Sequence, residues 1–284
     1  MTPAPPPTGR PATPSLPLSG RPTPPSLVLS GRPAPPSLVL AAHGTRSREG
    51  ERTLAALAGA VRRARPGVRV ELAYLEISSP PLPAVLAAAP GPVVVVPLLL
   101  AGGYHLHVDL PAVVAAHRPG AVVADRLGPH DLLTAALAGR LAQAGLRAGD
   151  AVVLGAAGSS DPAGLADVRA AARLLSARLA RPVTAAFVSS GSPSLGEALA
   201  RARSPRVAVA SYLLAPGFFH ARLRDSGADV VSAPLGPAPG VADLVWLRYD
   251  AAVRARPDGP GSRAVSPALA SRPVTPYAPA TGSM

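Results

Sequence analysis

Leu38-Val39-Leu40-Ala41-Ala42-His43-Gly44-Thr45-Arg46 lines up with Val152-Val153-Leu154-Gly155-Ala156-Ala157-Gly158-Ser159-Ser160, so an apolar run enters a small-residue turn twice in one chain. Ala157 stands where the first copy has His43. The correspondence continues at the same offset where Val93 to His105 (VVVVPLLLAGGYH) answers Val207 to Phe219 (VAVASYLLAPGFF), and, at an offset six positions shorter, Leu127-Gly128-Pro129 answers Leu235-Gly236-Pro237. A duplicated scaffold that keeps its polar groups in one half points to a single site between two lobes.

The repeat offset of about 114 positions divides the 284 residues into two halves, each long enough for a core. Around both copies, short β-branched runs alternate with Ala/Leu/Arg stretches, the pattern of parallel α/β units. Strands are predicted at 38–42, 69–75, 93–100 and 121–124, with helices near 49–64, 80–88, 109–117 and 130–144. The second half repeats them, with strands at 151–155, 183–188, 206–213 and 229–232 and helices near 162–180, 194–202, 217–226 and 239–253. Right-handed crossovers then give an α/β fold of two similar doubly wound parallel-sheet domains with a cleft between them.

The domains expected are 37–148, carrying the site, and 149–253, a degenerate repeat. Residues 1–36 form a Pro-rich arm with an eleven-residue repeat beginning at Gly9, Gly20 and Gly31, whose proline density predicts extended, disordered chain. Residues 254–284, rich in Pro, Ser, Ala and Gly, are expected to be a disordered tail.

The net charge is +12, but seven arginines lie in the two tails, and the middle carries 21 arginines against 15 acids. That surplus favours anionic small molecules over nucleic acid, which calls for clustered basic residues interleaved with aromatics, and aromatics are only 3%. Cysteine is absent, which excludes disulfides and thiolate metal sites and leaves His and carboxylate as ligands. Lysine and asparagine are absent too, which reads as the bias of a GC-rich genome. The uncharged stretch 82–104 is interrupted by Pro83, Pro90, Pro92 and Pro97 and is not read as a membrane span. No export signal is read at the start of the chain, so a cytoplasmic protein, not associated with membranes, is expected. A monomer is expected as well.

Ligands of open α/β sheets bind outside the carboxyl ends of the strands. His43, Glu76 and His105 follow the first three strands. With the spatial order 2-1-3-4 and strands about 4.8 Å apart, His43 falls between Glu76 and His105. Two imidazoles and a carboxylate could then converge on one divalent ion or on one set of exchangeable protons. Ala157, Ser189 and Phe219 occupy the equivalent places of the copy. His107 shares the face of His105 only if that segment is extended. Asp109, before Leu110-Pro111, is expected to cap the next helix, with a hydrogen bond to His105 as the alternative. His220, one position past the counterpart of His105, could reach the cleft from the other lobe. Gly128-Pro129-His130-Asp131 reads as a turn entering a helix, and Ser189-Ser190-Gly191-Ser192 as a plain turn.

Three segments carry a resemblance. Leu40-Ala-Ala-His43-Gly-Thr-Arg46, Glu71-Leu-Ala-Tyr-Leu-Glu76 and Val96-Pro-Leu-Leu-Leu-Ala-Gly-Gly-Tyr-His105-Leu-His-Val-Asp109-Leu-Pro111 resemble motifs of the sirohydrochlorin and cobalt chelatase family over roughly 37–252. The resemblance implies insertion of cobalt, iron or nickel into a tetrapyrrole, in siroheme or cobalamin synthesis. His43 and His105 are then the essential histidines and Glu76 the acid, in one site rather than two. It implies no cofactor beyond the substrate Co2+, Fe2+ or Ni2+. The residues leave open whether the histidines ligate metal, accept protons, or both. A polycarboxylate tetrapyrrole would give Arg46, Arg48, Arg222 and Arg224 a role in substrate binding, beside His220. Two other readings remain: a non-catalytic protein that binds or delivers metal or tetrapyrrole, and a histidine phosphatase. Ala42-His43-Gly44 is similar to the RHG signature of the latter, but Ala42 replaces the arginine that would hold the phosphoryl group.

Overall fold

The computed structural model describes residues 1–2, 34–103 and 105–256, with His105 described in its backbone only. The Pro-rich repeats over 3–33 and the tail over 257–284 lie outside the described residues. The chain divides into two units, Met1–Ala34 and Pro35–Met284, and the fold described is that of the second.

Its first half holds β1 (Ser37–Ala42), α1 (Arg48–Ala64), β2 (Val70–Tyr74), α2 (Leu82–Ala88), β3 (Val93–Pro97), a π-helical turn (His105–Asp109), α3 (Leu110–His117), β4 (Val122–Val123) and α4 (Asp131–Gln143). The second half holds β5 (Ala151–Ala156), α5 (Pro162–Leu179), β6 (Val183–Phe187), α6 (Leu195–Ala200), β7 (Val207–Ser211), α7 (Phe218–Arg224), β8 (Val230–Val231) and α8 (Pro239–Ala255). Both sheets are parallel, ordered β2-β1-β3-β4 and β6-β5-β7-β8, the order on which the placing of His43 between Glu76 and His105 is conditional. The registers match too: Leu40 pairs with Leu72 and Val96, and Leu154 with Ala185 and Ala210.

Alternation along each strand sorts its residues between two faces. Leu38, Leu40 and Ala42 join a large core that also contains Val152, Leu154, Leu137, Leu175 and Trp246, whereas Val39 and Ala41 pack with Leu82, Leu86 and Leu110 on the outer side. The outer core of the second sheet is Val153, Ala186, Leu195, Val209 and Leu223. Helices α1, α4, α5 and α8 therefore lie between the sheets, and the halves bury one continuous core rather than one each. Helix α1 shows how the sequence specifies this. Leu54, Leu57, Ala58 and Val61 form its buried stripe, Ser47 accepts a capping hydrogen bond from the Gly50 N–H, and Glu49 and Glu51 favour the positive end of the helix dipole.

Element boundaries differ from the sequence reading by up to three residues. The third strand stops at Pro97 and its copy at Ser211, and the apolar residues beyond them form loops. Leu98 and Tyr212 are buried there, so the hydrophobic signal came from packing and not from a longer strand. Helix α8 runs to Ala255, past the expected tail boundary at 254, because Tyr249 and Ala252 extend its buried stripe. Asp109 has helical backbone and makes no capping hydrogen bond, since the π-helical turn already leads into α3. The uncharged stretch resolves into α2, a turn, β3 and a loop. Among the described residues no helix is long and apolar enough to cross a membrane.

Candidate functional site

The carboxyl ends of β1 and β3 open onto a cavity of about 410 Å3 whose far wall is the loop 213–217 and the start of α7. His43, Gly44, Thr45 and Arg46 line it from the first half, and Pro216, Phe218, Phe219 and His220 from the second. Leu54, Leu98 and Leu213 make its floor largely apolar.

The His43 turn is held on all sides. The His43 carbonyl accepts from the Glu76 N–H at 3.0 Å, continuing the β1–β2 ladder past the last paired residues. Gly44 has φ +107, and the Glu76 carbonyl occupies the space where its Cβ would be, so only glycine fits after His43. Thr45 N–H donates to Ser78 Oγ at 3.1 Å, and Ser78 Oγ donates back to the Thr45 carbonyl at 2.9 Å. Thr45 Oγ1 then accepts from the Ser47 N–H. The histidine thus sits on a backbone with little freedom, partly buried, at the mouth of the cleft.

Of the other residues read from the sequence, Glu76 is joined to His43 through the backbone, and its side chain is exposed. His105 follows the third strand and the loop 98–103 and begins the π-helical turn, and its side chain lies outside the described residues. Among the described residues no three His, Asp or Glu side chains form a group that could hold a metal ion. His107 lies in the π-helical turn rather than in extended chain, and its Nε2 lies against Gly102, 3.2 Å from where a Cβ would stand. Arg46 is exposed at the cavity rim. Arg48, in the first turn of α1, is exposed and does not line the cavity. Arg222 lines a different hollow, with Phe187, Ser194 and Asp225, and the structure does not bring it to His43.

His220 does face the cleft. Its Nε2 lies 3.2 Å from the Ser232 carbonyl, which can only accept, so Nε2 carries a proton. Burial depresses its pKa most, the positive charge of Arg224 adds to that, and the Ser232 hydrogen bond and Glu49 oppose it. Around neutral pH it is an uncharged imidazole.

Sequence reasoning missed two residues. Ile77 is 56% exposed at the cavity rim and has φ +66, in a tight turn where the Glu76 carbonyl accepts from the Ser78 N–H. A β-branched residue in that conformation is strained by about 1–3 kcal/mol. Phe218 is 72% exposed on the opposite rim, edge-to-face with Phe219, their ring centroids 5.3 Å apart. The copy alignment contained the signal for Phe218, because it answers Tyr104 beside His105. Nothing in the sequence marked Ile77.

His130 is structural: its Nδ1 accepts from the Leu132 N–H and caps α4. The serine cluster is a turn, with Ser189 Oγ donating to the Ala157 carbonyl.

Two alike four-stranded parallel sheets with flanking helices match the two-domain α/β fold of the chelatases. The model of the CbiX family matches the chain twice, over residues 37–144 and 151–252, and the chain belongs to the CbiX family. Among solved structures it is similar to SirB from Bacillus subtilis with Fe3+, at TM-score 0.66 and 21% identity over 79% of this chain and 98% of that one. The sirohydrochlorin chelatase SirB from Bacillus subtilis subspecies spizizenii in complex with cobalt gives TM-score 0.65 and 22% identity, again over 79% and 98%. CbiX, described as the terminal enzyme for biosynthesis of siroheme in denitrifying bacteria, gives TM-score 0.60 and 25% identity over 76% of this chain and 99% of that one. No curated protein matches the sequence.

Proposed function

We propose that this protein inserts a divalent metal ion, cobalt or iron, into sirohydrochlorin in siroheme or cobalamin biosynthesis. The observation that carries the reading is the cleft itself: it is apolar on its floor, open at its mouth, and bordered by His43 from one half and His220 from the other. A flat macrocycle with carboxylate arms suits such a place, its apolar face toward Leu98, Leu213 and Phe219 and its arms toward Arg46 at the rim.

Metalation replaces two pyrrole N–H protons with one dication, so two protons must leave as the metal enters. An imidazole can bind the incoming ion or accept a proton. His43, fixed by the Gly44 turn, holds one such ring where the strands end. We assign His105 and Glu76 to the same site as metal ligands or proton acceptors, and Arg46 and His220 to the tetrapyrrole. No thiolate is present to retain a borderline metal, which favours release into the macrocycle.

The test is turnover. Purified protein is mixed with sirohydrochlorin and Co2+, Fe2+ or Ni2+ in turn and followed by absorbance, alongside His43→Ala and His105→Ala with folding checked by circular dichroism. Loss of insertion in both folded variants supports the reading. Unchanged rates, or binding of metal and tetrapyrrole without insertion by the parent protein, would overturn it.

A further inference from the structure

The half that lacks the motif histidine grips the loop from which His105 emerges. Asp167, on α5, accepts from the Gly102 N–H through Oδ2 at 2.8 Å. Its Oδ1 accepts from Arg126 Nη2 at 2.7 Å, and its side chain is only 13% exposed. Tyr212, just past β7, is buried and donates its hydroxyl to the Leu100 carbonyl at 3.1 Å. The Gly102 carbonyl fills the space beside Gly164 on α5, so helix and loop touch backbone to backbone. Three residues beyond Gly102 is His105.

The copy alignment shows that this grip runs one way. Thr53 answers Asp167, Leu98 answers Tyr212, and Pro216 answers Gly102. Thr53 directs its hydroxyl to the Glu49 carbonyl within its own helix, leucine has no polar atom, and proline has no N–H to donate. Among the described residues, the loop 213–217 therefore receives none of the polar ties that the loop 98–103 receives, although both meet the opposite half. Ties of this kind would be redundant for fold alone, since the symmetric junction does without them.

We infer that Asp167 and Tyr212 are positioning residues for the histidine site: the second half fixes the backbone of the loop that leads into His105, having given up the histidine of its own turn. This rests on the chelatase reading for its link to metal. Groups that orient a metal-binding imidazole from behind change affinity or rate by about 10- to 100-fold when removed.

The experiment uses the full-length protein and four variants: Asp167→Ala, Asp167→Asn, Tyr212→Phe and, as control, Asp250→Ala. Asp250 pairs with Arg65 across the same two halves, away from the cleft, at 2.6 and 2.7 Å. Amide hydrogen exchange over 98–107, Co2+ affinity, and kcat and KM for Co2+ insertion are measured. The expected result is faster exchange in that segment and at least about a tenfold loss of Co2+ affinity and kcat/KM in Asp167→Ala. Tyr212→Phe, which removes a hydroxyl and nothing else, should lose less, in the same direction. Asp167→Asn should recover most of the loss, because its amide oxygen can still accept from Gly102. Asp250→Ala should change none of the three. Parent-like exchange and Co2+ affinity in Asp167→Ala, or an equal loss in Asp250→Ala, would overturn the inference. Absence of metal insertion by the parent protein would instead overturn the chelatase reading, and the exchange measurement would still decide whether the grip exists.

Discussion

Gly50, in the first turn of α1, lies so close to Pro216 that the Pro216 carbonyl occupies the space of the missing side chain. Pro216 belongs to the wall of the cleft opposite His43, so the width of the cleft depends on a helix being bare at one point. Gly50→Ala should cost about 1–3 kcal/mol through overpacking. Gly139, within α4, has no atom within 4 Å of its would-be Cβ, and Gly139→Ala should stabilise by about 0.5–1 kcal/mol. Urea unfolding of the two variants checks the pair, and equal effects would show that the Gly50 contact does not constrain the junction.

Ile77 stores strain on the rim of the cleft. Ile77→Gly relieves the positive φ and, after glycine's larger loss of chain entropy, should still leave the protein as stable or about 1 kcal/mol more so. It also removes an exposed apolar contact, so KM for sirohydrochlorin should rise while kcat changes little. A variant less stable than the parent by thermal unfolding would mean that Ile77 is held by packing.

The two cleft-facing histidines should separate in kinetics. His43→Ala is expected to lose about 10^2- to 10^4-fold in kcat, the range for removing a proton-transfer group. His220, whose Nε2 is engaged by the Ser232 carbonyl, should matter less, with His220→Ala raising KM for the tetrapyrrole by under about tenfold. Steady-state kinetics of the two variants side by side decides the order.

Acid should weaken the fold through His130 and His220. Both have pKa values below the ordinary 6.5, with burial the largest cause in each. As pH falls below 6.5 the unfolded chain takes up protons that the folded chain resists, so stability is full above that pH and declines toward the folded pKa values. His130→Asn keeps a side-chain cap for α4 without a titrating ring. Its urea midpoint should fall less than the parent's between about pH 7.5 and pH 5.5. A parallel decline would exclude His130 as a source.

The duplication made most of the architecture legible. With Leu38–Arg46 aligned on Val152–Ser160, the sequence of elements and the position of His43 at a strand end follow from the alternation of short apolar runs with helices, whereas the spatial order of the strands comes from the structure. The loops after Pro97 and Ser211 were misread because burial at the junction of the halves leaves the same apolar signature as a strand. The shared core was hidden for a similar reason, since a helix stripe does not say which sheet, or how many, it will cover. Ile77 was unreadable because its importance lies in a backbone angle, and isoleucine gives no hint of one. Nothing in the sequence marks Asp167, because its role lies in a contact with the Gly102 N–H of a loop far away in the chain.

Because Gly50 lodges against the loop of one copy and Gly164 against the loop of the other, neither copy can change the length of that loop alone. An insertion on one side would lift the neighbouring helix and tilt the sheet behind it. The copy stripped of its histidine is thereby kept in step with its twin, free to vary in composition and bound in contour.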